Sequence, residues 1–424
     1  MRASAAALLV AFPLVASSVA GGAEADDMRV SVDPYFSLET GSDFTRTSVS
    51  LFGALEARVS RPLERSRAGG IAFRVARTAL LDLPMAWWFG VLEHEAFGHG
   101  GRAREFGSRA EFHMGSPWGD RDSYASYTTE GLGTDDLLRI AAGGTESNGW
   151  TATQLERDLV AGRRMRPFDL LFVAANRWVD YAYVVRTTPD PSTDPAGFYA
   201  EWAGGGDVAN YLGRLSERFT GDTGITPTGA TPLVRENYRT LRRQSRWNVL
   251  DPGLWLSLWT AARSVVTGEE FPHVPLPRIR GRGFLPVLSA DWLPDGGVAS
   301  LELVVGPAKP GGVPIAAGWS SVVIRRGTGP GGTFWAGGAA TEVLHEFPAF
   351  RVGGEVEAWT RPGRLPGAGA RMRFTSTRGR FQRCFAELGL KSAGHWPGRP
   401  AEPGPFVMVG RAFPTRATTD TSVR

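Results

Sequence analysis

The chain has 424 residues, enough for two or three packed units with cores of their own. Its formal charge of +4 is small for that length, and its arginines are interspersed with acids, which argues against nucleic-acid binding. A single cysteine, Cys384, excludes an intramolecular disulfide.

The first twenty residues carry Arg2, an apolar stretch from Ala5 to Ala16, and the small-residue pattern Ser18-Val19-Ala20, which together read as a secretory signal peptide over 1–20. The apolar run is shorter than the ~20 residues a membrane helix needs, and no later segment is a clear spanning helix. An exported chain without disulfides suits a bacterial envelope, in the periplasm or at the outer membrane. Residues 28–62 form an N-terminal β segment in this reading, with one strand around Val30, Val32 and Tyr35 and a second over Thr45 to Phe52.

From 70 to 270 the apolar spacing turns helical, in segments Phe73 to Phe106, Thr134 to Leu159, Arg166 to Val185, Asp207 to Phe219 and Asp251 to Val266. From 278 to 413 short runs alternate with Gly- and Pro-rich turns such as Pro294-Asp295-Gly296-Gly297, which predicts antiparallel strands, followed by a polar tail at 414–424. In that region Val356 and Ala358 lie opposite Glu355 and Glu357, so one face is apolar and the other charged. In a soluble sandwich the apolar side packs inward, whereas in an outer-membrane barrel it meets lipid and the charged side lines the interior. Alternation alone leaves both open. The fold class expected is α+β: a helical unit plus an antiparallel β-rich region, barrel or sandwich, that N-terminal strands can join.

The chemistry concentrates in His94-Glu95-Ala96-Phe97-Gly98-His99, at the polar end of the apolar run that begins at Met85 and that we expect to end at Gly100-Gly101. Two histidines and a glutamate are costly in such a setting unless they have partners. The familiar zinc helix spaces its histidines four apart, on one face, with the intervening Glu acting on bound water. Here the spacing is five, which on a regular α-helix turns His99 about 140° away from His94. A single π-helical turn absorbs the extra residue, and Gly98 is placed to tolerate it.

This HExxGH pattern resembles the zinc motif of the dipeptidyl-peptidase III family of metallopeptidases, over six residues; a second Glu-Glu motif of that family is not visible. The resemblance implies that His94 and His99 are Zn2+ ligands and that Glu95 is the general base of a peptidase acting on a peptide or protein substrate. Zinc takes a further protein ligand, for which Glu146 and Glu105 compete. Glu146 is preferred, because the small residues around it let its helix approach the motif helix closely. Glu93 or Asn148 could hold a ligand imidazole, and His113, Tyr124 or Tyr127 could serve an oxyanion. His273, His345 and His395 are taken as structural. Membrane association, if present, falls to the β-rich region.

Overall fold

The computed structural model describes residues 27–60, 67–119, 122–307, 318–361, 364–378 and 381–414. The expected signal peptide and the polar tail beyond Pro414 lie outside them. Strand β1 (Asp27–Val32) leads into helix α1 (Leu38–Ser60). A second helical run contains α2 (Arg67–Arg77), α3 (Leu83–Leu92) and α4 (Gly100–Glu105), joined without a break by π-helical turns at Thr78–Asp82 and Glu93–His99.

A hairpin of β2 (Ala110–His113) and β3 (Tyr124–Tyr127) follows, then the long α5 (Thr134–Ala161) and α6 (Pro167–Ala182), the latter extended by a π turn at Tyr183–Thr187. Next come α7 (Pro195–Ala203), α8 (Asp207–Thr220), the short pair β4 (Ile225–Thr226) and β5 (Gly229–Ala230), α9 (Pro232–Gln244), α10 (Arg246–Leu250) and α11 (Pro252–Thr267). The remaining strands are β6 (Arg278–Ile279), β7 (Arg282–Leu293), β8 (Gly296–Val305), β9 (Ser320–Gly329), β10 (Gly332–Glu346), β11 (Phe350–Arg361), β12 (Arg364–Ser376), β13 (Cys384–Lys391) and β14 (Gly404–Pro414).

The strands form one ten-stranded antiparallel sheet in the order β1-β14-β13-β12-β11-β10-β9-β8-β7-β6, a meander closed at one side by β1 pairing with β14 and open between β1 and β6. The fold class is therefore α+β, with C-terminal strands and one N-terminal strand sharing a sheet. The second N-terminal strand is corrected: Thr45 to Phe52 lies inside α1. Its β-branched Thr45, Thr47 and Val49 favour extended chain locally, but in the helix all three are buried, and packing overrides that preference. The motif helix likewise continues through Gly100 and Gly101 to Glu105.

Two apolar clusters hold the helices. One gathers Leu138, Tyr211, Leu215, Tyr238 and Trp292 from α5, α8, α9 and β7, and the other gathers Val49, Phe89, Leu155, Phe168 and Phe172 from α1, α3, α5 and α6. The sheet packs its charged face on these helices. Glu302, Arg325, Glu355, Glu357 and Glu387 are buried there, while Leu301, Leu303, Val322, Ile324, Val356, Leu388, Leu390, Val407 and Val409 point outward and are exposed.

Ion pairs cross that junction beside apolar contacts such as those of Val160 and Ala161 with Leu285, Val287 and Val304. Arg371 reaches Glu355 at 2.7 Å, Glu387 at 2.6 Å and Glu39 of α1 at 3.2 Å. Arg399 joins Glu355 at 2.8 Å and also pairs with Glu39, and Arg157 of α5 holds Glu302 at 2.7 Å. Removing one member of such a buried group leaves the others without their counter-charge, which costs about 3–5 kcal/mol. Glu39→Ala is expected to lower stability by an amount on that order, read as the shift in a urea midpoint, whereas Glu236→Ala on the exposed face of α9 should leave it unchanged.

Candidate metal centre

The five-residue spacing is accommodated as the sequence requires. Residues Glu93–His99 form a π turn in which the Gly100 N–H donates to the carbonyl of Glu95, five residues back. The two imidazoles then share a face, with ring centroids 4.8 Å apart. Both histidines are buried.

The turn is pressed against α5 through glycines. A methyl carbon on Gly98 would lie 2.5 Å from the Gly144 Cα, and one on Gly143 would lie 2.7 Å from the Gly98 carbonyl oxygen. A methyl on Gly144 would overlap the His94 ring. The expectation that small residues near position 146 let the two helices close up is met by this contact, although Glu146 itself faces elsewhere.

The carboxylate that stands beside the histidines is Asp207, in the first turn of α8. Its Oδ2 is 3.0 Å from His94 Nε2 and its Oδ1 is 3.2 Å from His99 Nε2. One potential ligand atom from each of His94, His99 and Asp207 lies within 4.8 Å of the others, so this buried group could hold a metal ion. Glu146 is engaged by Arg102, at 2.5 and 3.1 Å, and accepts from the Gly398 N–H at 3.0 Å. Glu105 takes Arg102 at 2.8 Å and the Ala401 N–H at 2.9 Å. Both acids expected to compete for the metal are thus clamped on one buried guanidinium and are not part of the group.

Hydrogen bonds fix the ring tautomers. Asn148 donates its amide to the Gly90 carbonyl at 2.9 Å and to Asn176 Oδ1 at 2.7 Å, which leaves its own Oδ1, 2.8 Å from His94 Nδ1, as an acceptor. His99 Nδ1 donates to the Ile140 carbonyl at 2.6 Å. In the neutral rings both Nε2 atoms therefore carry lone pairs, and these face a carboxylate. Four acceptor atoms meeting this way repel one another unless a proton or a cation lies among them, and His99 Nε2 has no hydrogen bond of good geometry. The donor set fits a metal ion.

Protons answer the same field. Burial disfavours a charged His99, but Asp207 and Glu95 outweigh it and raise the imidazole to about 9. Burial pushes the Asp207 carboxyl up, and the two histidines more than reverse this, leaving it well below the carboxylate range. Glu95 is raised by burial against the pull of His94 and His99. Glu93 is raised to about 7 by burial, although Thr45 donates to it at 2.5 Å and Thr151 at 3.1 Å, with Ser147 also bonded. Glu93 therefore ties α1 and α5 to the turn and does not touch an imidazole, whereas Asn148 does.

Glu95, His99 and Asp207 line one cavity of about 720 Å³, with Tyr124, Tyr127 and Tyr183 on its walls. Tyr183 stacks on the His94 ring at 5.0 Å. His113 is exposed and stacks on Tyr124 at 5.5 Å. His395 lies 3.7 Å from Glu146, held neutral by burial that lowers it to about 3. Sequence reasoning missed Asp207 and Tyr183: an Asp opening a helix is the usual end-of-helix residue, and nothing local marks it as facing residues more than a hundred positions earlier.

Gly144→Ala must displace the His94 ring or part the helices, an overpacking that costs about 1–3 kcal/mol. It is expected to lower the bound-metal stoichiometry, measured by atomic absorption after dialysis. Gly90→Ala, where the nearest atoms are 3.9 Å away, should keep it. Compared with protein-family models, curated proteins and solved structures, the chain matches none of them.

Proposed function

We propose that the chain is a metal-dependent hydrolase of peptide bonds, with Zn2+ held by His94, His99 and Asp207 and with Glu95 as the general base. The observation that carries this reading is the convergence of two Nε2 lone pairs and a carboxylate at the wall of the cavity that Glu95 also lines. Two imidazoles and a carboxylate are a donor set that zinc accepts. When bound, zinc supplies a Lewis acid that acidifies water and polarises a carbonyl. The peptide as substrate class rests on the likeness of the His94 to His99 motif to peptidase zinc helices.

The chain's own residues do the proton work. Glu95, its carboxyl raised by burial, accepts a proton from the attacking water and returns it to the leaving amine. Asn148 and the Ile140 carbonyl keep both rings from turning. The Tyr183 phenol, pushed up by burial and by Asp207, stays protonated and can donate a hydrogen bond in the cavity. The export signal expected at 1–20 makes this an envelope enzyme.

Glu95→Gln is expected to retain zinc and to lose about 10²-fold or more in kcat/KM on a general peptide mixture. Equal hydrolysis by parent and variant would defeat the proposal. Asp207→Asn should lose zinc, whereas Glu146→Gln should keep it at some cost in stability.

Proton competition gives a second check. A raised His99 pKa means that its charged pairing with Asp207 stabilises the metal-free protein fully below the ordinary histidine value of 6.5, and that this contribution fades as pH rises through about 9. The thermal midpoint of the metal-free protein should therefore fall between pH 6.5 and 9, and Asp207→Asn should remove that dependence. Over the same window zinc affinity should rise with pH as the ring proton becomes easier to displace.

A further inference from the structure

The sheet is apolar on the face that a water-soluble sheet turns polar, while its inner face mixes apolar residues such as Leu285, Val304 and Phe385 with buried charges. Its helix-facing side carries Glu302, Arg325, Glu355, Glu357 and Glu387, all buried in ion pairs, while its outer side is apolar on strand after strand. Leu301 and Leu303 on β8, Val322 and Ile324 on β9, Leu388 and Leu390 on β13, and Val407 and Val409 on β14 are each between 44% and 62% exposed. A soluble chain rarely leaves so continuous an apolar surface open to water. Part of this surface is concave: a groove of about 820 Å³ runs over Gly337, Ala339, Val356, Ala358, Ala370 and Leu390.

The band continues where the sheet is open. Helix α1 packs on β1 and on α6, and α11 packs on α6 and β7, so helices link the two sides of the opening. These helices also turn apolar groups outward, with Leu55 and Val59 on α1 and Trp255, Trp259 and Val266 on α11 all exposed.

The ends of the band differ from its middle. At one end Trp335 is exposed, with Arg326 5.7 Å from its ring; at the other Phe347 and Phe381 are exposed, and Arg411 lies 5.4 Å from the Phe413 ring. From Trp335 to His345 the bulged β10 advances by about eight residues of sheet, roughly 26 Å, which at the ~40° tilt of membrane strands is about 20 Å of height, close to the ~25 Å of an outer-membrane apolar band. Aromatic rings with arginines at the edges of such a band fit an interface with anionic headgroups.

We propose that the outer face of this sheet lies against the acyl chains of a lipid bilayer, with its arginine-bearing ends at the headgroups. The proposal does not depend on the metal reading, and its test uses no enzymatic activity.

The experiment places a polarity-sensitive fluorophore on the full chain in a Cys384→Ser background, at Val322→Cys or Leu388→Cys on the outer face, and at Glu236→Cys on exposed α9 as a control. Vesicles are phosphatidylcholine, with or without phosphatidylglycerol. The expected result is co-flotation of the protein with vesicles, a blue shift at positions 322 and 388 only, and quenching there by lipids spin-labelled in the acyl chain. Phosphatidylglycerol should increase the bound fraction at low salt. A detergent-free monodisperse protein that stays at the bottom of the gradient would overturn the proposal. So would a blue shift that appears without lipid as the protein dimerises, since a second copy would then cover the face. Flotation with no acyl-chain quenching at either position would overturn it as well.

Discussion

The close approach of two backbones, Gly98 on one helix against Gly143 and Gly144 on another, is the contact on which the centre depends. An extra residue between the histidines forces a π turn, and a π turn is wider and less favourable than the α-helix around it. It persists here because both of its sides are occupied. The glycines admit α5 to backbone distance, Glu93 is bonded to Thr45, Ser147 and Thr151, and His94 is pinned by Asn148. Each of these partners sits on α1 or α5, so the geometry of two imidazoles is set by the packing of three helices.

That packing brings its own polar burden. α5 carries Glu146, Asn148, Glu156 and Arg157 in buried positions, which a helix with an apolar surround could not tolerate. They are satisfied by arginines and carboxylates from both sides: Arg102 for Glu146, Arg177 for Glu156, Glu302 for Arg157. The charged face of the sheet is thus complementary to the helix that it covers. A wholly apolar inner face would have left Arg157 and Glu39 without counter-charges, and the sheet and its β13–β14 connection accordingly set Glu302, Glu355 and Arg399 among the apolar residues buried there.

Much of this was legible in the sequence. The helical spacing from Phe73 to Val266 and the strands from 285 to 413 follow from periodicity, and the five-residue interval between His94 and His99 calls for a π turn if both rings are to share a face. What the sequence does not carry is direction. The glycines around position 146 announced a close helix approach, but whether Glu146 or its neighbours would face the turn depends on rotation about α5, and Arg102 claimed the glutamate. Thr45 to Phe52 misled because β-branched residues were read by local preference while their environment is a buried helix face. Asp207 was invisible because its partners are fixed by tertiary packing alone. The alternation on β11 established two faces without saying which of them meets the helices.

The position of Asp207 has a bearing on how the centre comes into being. His94 and His99 belong to one turn, and Asn148, which aligns His94, comes from a helix packed directly on it. Asp207 begins α8, whose hold on the rest of the protein is the apolar cluster of Val208, Tyr211, Leu212 and Leu215 with Leu138, Tyr238 and Trp292. The paired imidazoles therefore rest on the packing of α1 and α5, and the carboxylate rests on the seating of α8. Without α8 in place the group would offer two imidazole nitrogens, and with it a carboxylate as well. Whether the group offers two or three candidate ligand atoms is thus decided by the apolar anchors of one helix, far from the imidazoles in the chain.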